Sequence, residues 1–322
     1  MKMTMNELAK LCHVSVSAVS KAFCDAEDIS EETKHHIFTI AKEQGCFGKF
    51  YKGKYHKKII AIICPEISGE YYSVFVNMLQ EFIEKNGGIC IISTDDFSTK
   101  KQAELIEYYI SFLKVDGLFV LGLKTTLKKG YETPVVSIFF SVDNKVDLVV
   151  TDMNVAIYEA IETLYSLGHK KIAFLGEGLT LLKEEAFVEN VKKFSEVECS
   201  IIRSKKRFEE AGYDCAEKLL KEKEKYTALI CAYDNIAFGA IKKLKEVGIR
   251  VPTDVSVIGI DNINMSNFTE TSLTSIDVNP KDICSIAYSL MEKKLDNKYF
   301  MANQNIVIKP SIIVRESIGK AK

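Results

Sequence analysis

Two rhythms of apolar residues divide the chain. Over the first 45 residues they recur at helical spacing in short segments. Leu8 and Leu11 share one face, with Ala9 and Cys12 beside them. Ahead of them, Thr4-Met5-Asn6-Glu7 has the form of a capping box: the Thr4 hydroxyl can accept an N–H of the first turn while Glu7 reaches back. His13-Val14 makes a break. Ser15 then caps a second helix over 16–23, whose Val19 and Phe23 face inward. A third opens at Ser30 with Glu31 and Glu32 in its first turn, where carboxylates suit the helix dipole; it buries Ile37, Ile40 and Ala41 and stops at Gly45. Two short helices with a tight turn, then a longer packing helix, predict a helix-turn-helix head.

From residue 59 the apolar runs become short and continuous. Ile59-Ile60-Ala61-Ile62-Ile63, Ile89-Cys90-Ile91-Ile92, Gly117-Leu118-Phe119-Val120-Leu121 and a run over 135–139 predict strands. Ile172-Ala173-Phe174-Leu175, Ser200-Ile201-Ile202, Ala228-Leu229-Ile230-Cys231 and Val255-Ser256-Val257-Ile258 form a second set. Helical patterns lie over 72–85, 101–113, 156–167, 184–194, 208–220 and 236–247. Apolar strands alternating with helices predict α/β architecture with parallel sheets covered on both faces. Two sets, divided near Asp152, predict two doubly wound, Rossmann-like lobes. Ligands in such sheets bind beyond the carboxyl ends of the strands, and a cleft between two lobes suits a small molecule.

Composition narrows the class. A chain of 322 residues with 47% hydrophobic and 27% charged residues has room for two or three cored domains. It has no apolar stretch of the roughly 18 residues that a membrane span needs, and 1–11 is amphipathic rather than signal-like. Nine cysteines stand singly, without C-x-x-C or metal-type spacing, which fits a reduced, cytoplasmic chain with no metal site. The net charge of −1 hides an asymmetry: residues 1–58 hold ten lysines and seven acids, a balance of +3 that leaves −4 for the rest. Five of those lysines fall between Lys49 and Lys58, a segment without an acid. A basic head on an acidic body suits attraction to phosphates by the head alone; a solvated basic linker is the plainer explanation of the same residues.

The run Val14-Ser15-Val16-Ser17-Ala18-Val19-Ser20-Lys21-Ala22-Phe23, followed by Ile29-Ser30-Glu31-Glu32-Thr33, closely resembles the head of the LacI–GalR family of bacterial transcription repressors. The likeness continues through the body: Asp116-Gly117-Leu118, Leu167-Gly168-His169-Lys170-Lys171-Ile172, Val251-Pro252-Thr253-Asp254-Val255-Ser256-Val257-Ile258-Gly259, Ser272-Leu273-Thr274-Ser275-Ile276 and Arg315-Glu316-Ser317 match family motifs in order. The resemblance implies a body of the type I periplasmic-binding-protein fold, two lobes joined by three crossovers. The expected division is a head over 1–46, a basic hinge over 47–58 and an effector-binding body over 59–322. Lobe one would take about 59–151 plus 280–302, and lobe two about 152–279 plus 303–322.

Helical spacing turns Val16, Ser17 and Lys21 outward on the second helix, and by resemblance these are the positions that read bases. Lys21 can donate to guanine or rest on phosphate; Val16 can meet a thymine methyl. Thr4, Ser15 and Ser20 are phosphate or capping groups, and Lys49 and Lys52 extend the basic contact. The hinge departs from the family's Pro-Asn-x-x-Ala-Arg-x-Leu helix: it reads Phe47-Gly48-Lys49-Phe50-Tyr51-Lys52-Gly53-Lys54-Tyr55. Tyr51 or Tyr55 could stand in for the leucine wedge, or the segment could be an irregular tether.

For the effector, the resemblance implicates Tyr71 and Tyr72 after the first strand, Lys183 where many members have arginine, and Tyr233 and Asp234 in place of an Ala-Asn-Asp motif. Asp152 could touch ligand or cap the following helix, and Asp261 could line the cleft or order its turn. Lysine at 183 loses the bidentate geometry by which arginine holds hydroxyls, so a sugar effector does not follow automatically. His169, at a helix end before a strand, reads as structural rather than catalytic.

The expected function is a sequence-specific, homodimeric repressor that binds a palindromic double-stranded operator, switched by a sugar or related metabolite between its lobes. The competing reading is a small-molecule sensor with weak or unspecific DNA binding. An enzyme is disfavoured: no G-x-G-x-x-G, P-loop, G-x-S-x-G or H-E-x-x-H is present, so no catalytic residue and no cofactor is expected.

Overall fold

The computed structural model describes residues 3–24, 26, 28–51, 57–124, 132–140, 146–296 and 302–322. The chain forms two compact units, Met1–Lys58 and Ile59–Lys322.

The first unit holds α1 (Met5–Leu11), α2 (Val16–Phe23), α3 (Glu31–Glu43) and a single turn, α4 (Phe47–Phe50). The capping box forms: the Thr4 N–H donates to Glu7 Oε2 at 2.7 Å and the Glu7 N–H donates to Thr4 Oγ1 at 3.3 Å. Ser15 and Ser30 cap α2 and α3 by accepting from the amides of Ala18 and Thr33. Leu8, Val19, Ala22, Phe23, Ile37 and Ala41 are fully buried and form the core.

The boundary expected at residue 46 moves. Phe50 is buried in this core at 5.7 Å from the Phe23 ring. Tyr51 stacks on Phe47 at 4.9 Å and meets Phe38 edge-on at 5.3 Å. Residues 47–51 are therefore part of the head rather than of a linker. A three-helix unit this small has few apolar residues to bury, and the aromatic turn enlarges its core.

The second unit begins with β1 (Ile59–Cys64), α5 (Glu70–Lys85), β2 (Ile89–Thr94) and α6 (Thr99–Glu107), which runs on as a π-helical turn over Tyr108–Leu113. Then come β3 (Gly117–Leu121), β4 (Val135–Ile138) and β5 (Asp147–Thr151). The chain crosses into α7 (Met153–Ser166), β6 (Lys171–Glu177), α8 (Leu181–Val191), β7 (Glu198–Ser204), α9 (Phe208–Leu219), β8 (Ala228–Cys231), α10 (Asp234–Glu246), β9 (Ser256–Ile260), a 3-10 turn at Asn264–Asn267 and β10 (Thr274–Asp277). It returns through α11 (Pro280–Asp296), β11 (Asn305–Ile308) and β12 (Ser311–Ile313).

The described strands form two sheets, in the orders β11-β5-β4-β3-β1-β2 and β12-β10-β9-β8-β6-β7. All pairs are parallel except β10 with β12. The lobe boundary differs from expectation at the end of the chain. Ile306 and Val307 pair with Val149 and Val150, so β11 belongs to the first lobe, and only the part from β12 onward belongs to the second.

The chain thus passes between the lobes three times, at 151–153, 277–280 and 308–311. Thr151 Oγ1 donates to the Val278 carbonyl at 2.9 Å and Asn279 Nδ2 donates to the Lys309 carbonyl at 2.7 Å, tying the three crossovers together. In the second lobe α9 and α10 cross on glycine. A Cβ at Gly212 would lie 1.8 Å from the Ile236 carbonyl oxygen, and one at Gly239 would lie 1.8 Å from that of Glu209. Only glycine lets these two backbones approach so closely.

Candidate functional site

In the head, the exposed row of α2 carries Val16, Ser17 and Lys21, while its inward row, Val19, Ala22 and Phe23, is buried. Val16 is 42% exposed, so its methyls are open to a partner surface. Lys21 makes an exposed ion pair with Asp28, an interaction that phosphate or a guanine edge can displace because both partners are solvated. Thr4 and Ser15 are exposed, and their oxygens cap helices. Ser20 is half-buried. Lys49 donates to the Met3 carbonyl at 2.5 Å and lies over the Phe50 ring, so its ammonium is held on the head. Tyr51 is engaged in the aromatic cluster, which corrects its expected part as a free wedge. Lys52 and Tyr55 lie outside the described residues.

In the body, the loops after the strand carboxyl ends of both lobes converge. Tyr71 and Tyr72 stand in the first turn of α5, after β1. Tyr71 stacks on Phe139 at 5.4 Å and Tyr72 meets Phe97 edge-on at 6.0 Å. Burial pushes both phenols above their usual range, and the negative Asp261 adds to it. Asp261 therefore faces Tyr71 and Tyr72 from the other lobe. Its carboxylate pairs with Lys183 Nζ at 3.3 Å, and Lys183 also donates to the Ala232 carbonyl at 2.7 Å. Burial raises the Asp261 carboxyl to about 6 against the lowering influence of Lys183. A cavity of about 280 Å³ opens here, lined by Glu70, Tyr71, Val74, Phe75, Asp261, Asn262, Ile263, Asn264, Asn267 and Pro280.

The Asp261 loop is built by the terminal motifs. The Asp261 N–H donates to the Ile276 carbonyl and the Asn262 N–H donates to Ser275 Oγ. Arg315 donates to Asn262 Oδ1 and to the Leu273 carbonyl, both at 2.6 Å, and Ser317 Oγ donates to the Val257 carbonyl at 2.6 Å. The Arg-Glu-Ser end is thus scaffolding for the cleft. His169 is scaffolding too: its ring reaches Thr227 Oγ1, Ser256 Oγ and the Gly319 carbonyl at 2.9–3.0 Å, and burial lowers its pKa.

Two expected ligand contacts move into the frame. Asp234 is fully buried; it accepts from Ser275 Oγ at 2.6 Å, Ser266 Oγ at 2.7 Å and the Ile263 N–H at 2.9 Å. Its carboxylate orders the loop that carries Asp261 rather than facing the cleft. Burial, with Asp261 adding, raises it to about 7. Asp152 accepts from the Val155 N–H at 3.1 Å and caps α7, as its helix-capping alternative expects. Tyr233 is half-buried and accepts from the Phe208 N–H at 3.0 Å; burial raises its phenol.

Sequence reasoning missed Phe97, Phe139, Glu177, Arg207 and Phe208. Each follows or closes a strand at its carboxyl end, and listing those positions would have found them. Phe97, Phe139, Phe208 and Asp261 have φ of 60°, 78°, 55° and 107°. Non-glycine residues in this left-handed region cost about 1–3 kcal/mol each and gather at functional sites. Glu70, in lobe one, accepts from the amides of Asn264 and Met265 in lobe two and so joins the lobes across the cleft. Among the described residues no cluster of His, Cys, Asp or Glu could hold a metal ion, and no helix is long and apolar enough to cross a membrane.

Such a head and such a body define a class: a DNA-binding unit followed by a two-lobed periplasmic-binding-protein-like body. Residues 161–318 match the family described as periplasmic binding protein-like domain. The chain is 26% identical to the HTH-type transcriptional repressor PurR of Mannheimia succiniciproducens, over 98% of this chain and 99% of that protein. It is 28% identical to the HTH-type transcriptional regulator DegA of Bacillus subtilis, over 98% of each chain. A LacI-family regulator structure from Silicibacter pomeroyi superposes with a TM-score of 0.75 at 20% identity, covering 99% of this chain and 100% of that one. The chain thus resembles the LacI–GalR family of transcription regulators along nearly its whole length.

Proposed function

We propose that this protein is a sequence-specific transcriptional repressor whose affinity for a palindromic operator is switched by a small metabolite bound between its lobes. One observation carries the reading: a capped α2 turns Val16, Ser17 and Lys21 to solvent from a fully buried inner row, in a chain whose body holds a cleft lined from both lobes. Val16, Ser17 and Lys21 read base edges, and Thr4, Ser15, Ser20 and Lys49 lie toward phosphates. One head reads few base pairs, so two heads on one palindrome supply useful specificity; the working form is a homodimer. The metabolite is a sugar or a related compound, held between the rings of Tyr71 and Tyr72 and the Lys183–Asp261 pair, with Tyr233 beside them. Its differential affinity for the closed lobes shifts the population that fits the operator. The chain acts by binding, without catalysis, in the cytoplasm where the DNA is.

The test is a selection from random double-stranded DNA by the purified full-length protein at near-physiological salt, repeated with Ser17→Ala and Lys21→Ala. Enrichment of a palindrome, with base preference relaxed by either variant, is the expected result. Strongly salt-dependent binding that enriches no sequence would instead favour the sensor with unspecific DNA affinity.

A further inference from the structure

We propose that the effector carries an oxyanion, a phosphate ester or a carboxylate, and that Arg207 receives it. The inference rests on the effector reading above and names the chemical class of that ligand.

Arg207 stands between the end of β7 and the start of α9, on the second lobe. Its guanidinium carbon lies 3.9 Å from the centre of the Phe97 ring, on the first lobe, and 4.6 Å from that of Phe208. The two rings engage the π system of a flat cation, while its N–H donors point outward in its own plane. Those donors are unspent. Nε is buried and has no hydrogen-bond partner, and among the described residues no carboxylate lies within ion-pair distance of the group. The neighbouring cation is different: Lys183 is already held by Asp261 and the Ala232 carbonyl. Among the described residues around Phe97, Tyr72 and Tyr233, Arg207 is therefore the cation left open to an incoming anion.

The surroundings suit an oxyanion. The charge of Arg207 reaches the phenols of both Tyr72 and Tyr233, where it opposes the rise that burial causes. The hydroxyl of Tyr72, on lobe one, can donate to a bound oxygen, and that of Tyr233, on lobe two, can do so by turning from Glu177. Glu177 is occupied by the Leu179 N–H at 2.9 Å and by the Tyr233 hydroxyl at 3.5 Å. A buried donor left unmade costs free energy, and a planar fork recovers it best from a carboxylate or phosphate edge. A neutral sugar offers only hydroxyls there. A purely structural clasp between Phe97 and Phe208 would need the ring contacts but not the free in-plane donors.

The test uses the full-length protein and matched probes: ribose with ribose 5-phosphate, and glucose with glucose 6-phosphate and gluconate. Sodium phosphate is compared with sodium chloride at equal ionic strength. Binding is read by the unfolding midpoint and by tyrosine fluorescence, which is unobscured because the chain has no tryptophan. Sodium phosphate and at least one anionic sugar are expected to stabilise the wild type, the sugar at tenfold or more lower concentration than its neutral partner. Arg207→Met should remove that difference and Arg207→Lys should restore part of it. The ester and acid arms tell phosphate from carboxylate. Lys183→Met, which leaves Arg207 in place, should keep the response to inorganic phosphate. If Arg207→Met is misfolded by circular dichroism, Arg207→Lys decides alone, by the loss of affinity for the anionic member only. Equal binding of neutral and anionic partners overturns the proposal and leaves the effector reading standing. No response to any anion overturns it as well, and if the neutral sugars also fail, the sugar reading falls with it.

Discussion

The two lobes carry the same strand order and both turn the loops after their strand carboxyl ends toward the cleft, yet they bring different chemistry to it. Lobe one brings rings: Tyr71 on Phe139, Tyr72 on Phe97, and Phe75 beneath them. Lobe two brings charge: Lys183 with Asp261, Glu177, and Arg207 laid over its own Phe208. A ring wall excludes water and offers area without direction; a charged wall offers direction but costs desolvation. A ligand that touches both gains from closure what neither wall provides alone, which is the differential affinity a switch requires. Structurally the lobes differ as well. Lobe two rests on a backbone-to-backbone crossing of α9 and α10, whereas Gly117, in lobe one, meets the flexible side chain of Met291.

The largest effect expected from this contrast is in the helix crossing. Gly239→Ala puts a methyl 1.8 Å from the Glu209 carbonyl oxygen, so the helices must part; a loss of about 3 kcal/mol is expected in urea unfolding. A loss under 1 kcal/mol would mean that the crossing is not tight.

Next is the pH dependence of lobe two. The folded Asp261 carboxyl is raised to about 6, above its unfolded value of about 3.9. Its contribution to stability is thus fully present below about pH 4 and is lost as pH rises through about 6, on the order of 3 kcal/mol. Asp234, raised to about 7, acts with the same sign. Asp261→Asn should reduce the slope of the urea midpoint between pH 4 and 7, leaving the part due to Asp234; an unchanged slope would remove Asp261 from the account.

In lobe one, Gly117→Ala should cost only about 1 kcal/mol, because the thioether of Met291, 2.4 Å from the added carbon, can rotate away. A loss equal to that of Gly239→Ala would erase the contrast between the lobes. The smallest change concerns the joint between them. Glu70→Ala removes the acceptor of the Asn264 and Met265 amides, and their hydrogen exchange should speed up by roughly fivefold, about 1 kcal/mol, with global stability nearly unchanged.

Local signals were legible where one segment contains its own reason. The capping box at Thr4, the caps at Ser15 and Ser30, the inward Val19 and Phe23 and the alternation of apolar strands with helices all follow from neighbours in sequence. The last strands were not legible. Asn305–Ile308 and Ser311–Ile313 are short and adjacent, and nothing in either says that one pairs with β5 and the other with β10. The aromatic turn at 47–51 was misread for a similar reason: its lysine and its glycine suggest a tether, while the rings that hold it come from α2 and α3.

The amino-acid sequence by itself determined the head with its outward row on α2, the two α/β lobes, the family resemblance, and the cleft candidates Tyr71, Tyr72, Lys183 and Asp261. Periodicity, capping and ordered motifs are properties of neighbouring residues, and they survive without a structure. Tertiary structure decided which acids serve the frame and which face the cleft. Asp234 and Asp261 both follow buried strands, yet one is surrounded by Ser266, Ser275 and the Ile263 amide and the other faces the rings of lobe one. It also decided that Arg207, unremarkable in sequence, meets Phe97 across the cleft. Partners more than a hundred residues apart are set by sheet order and crossovers, which no local pattern records.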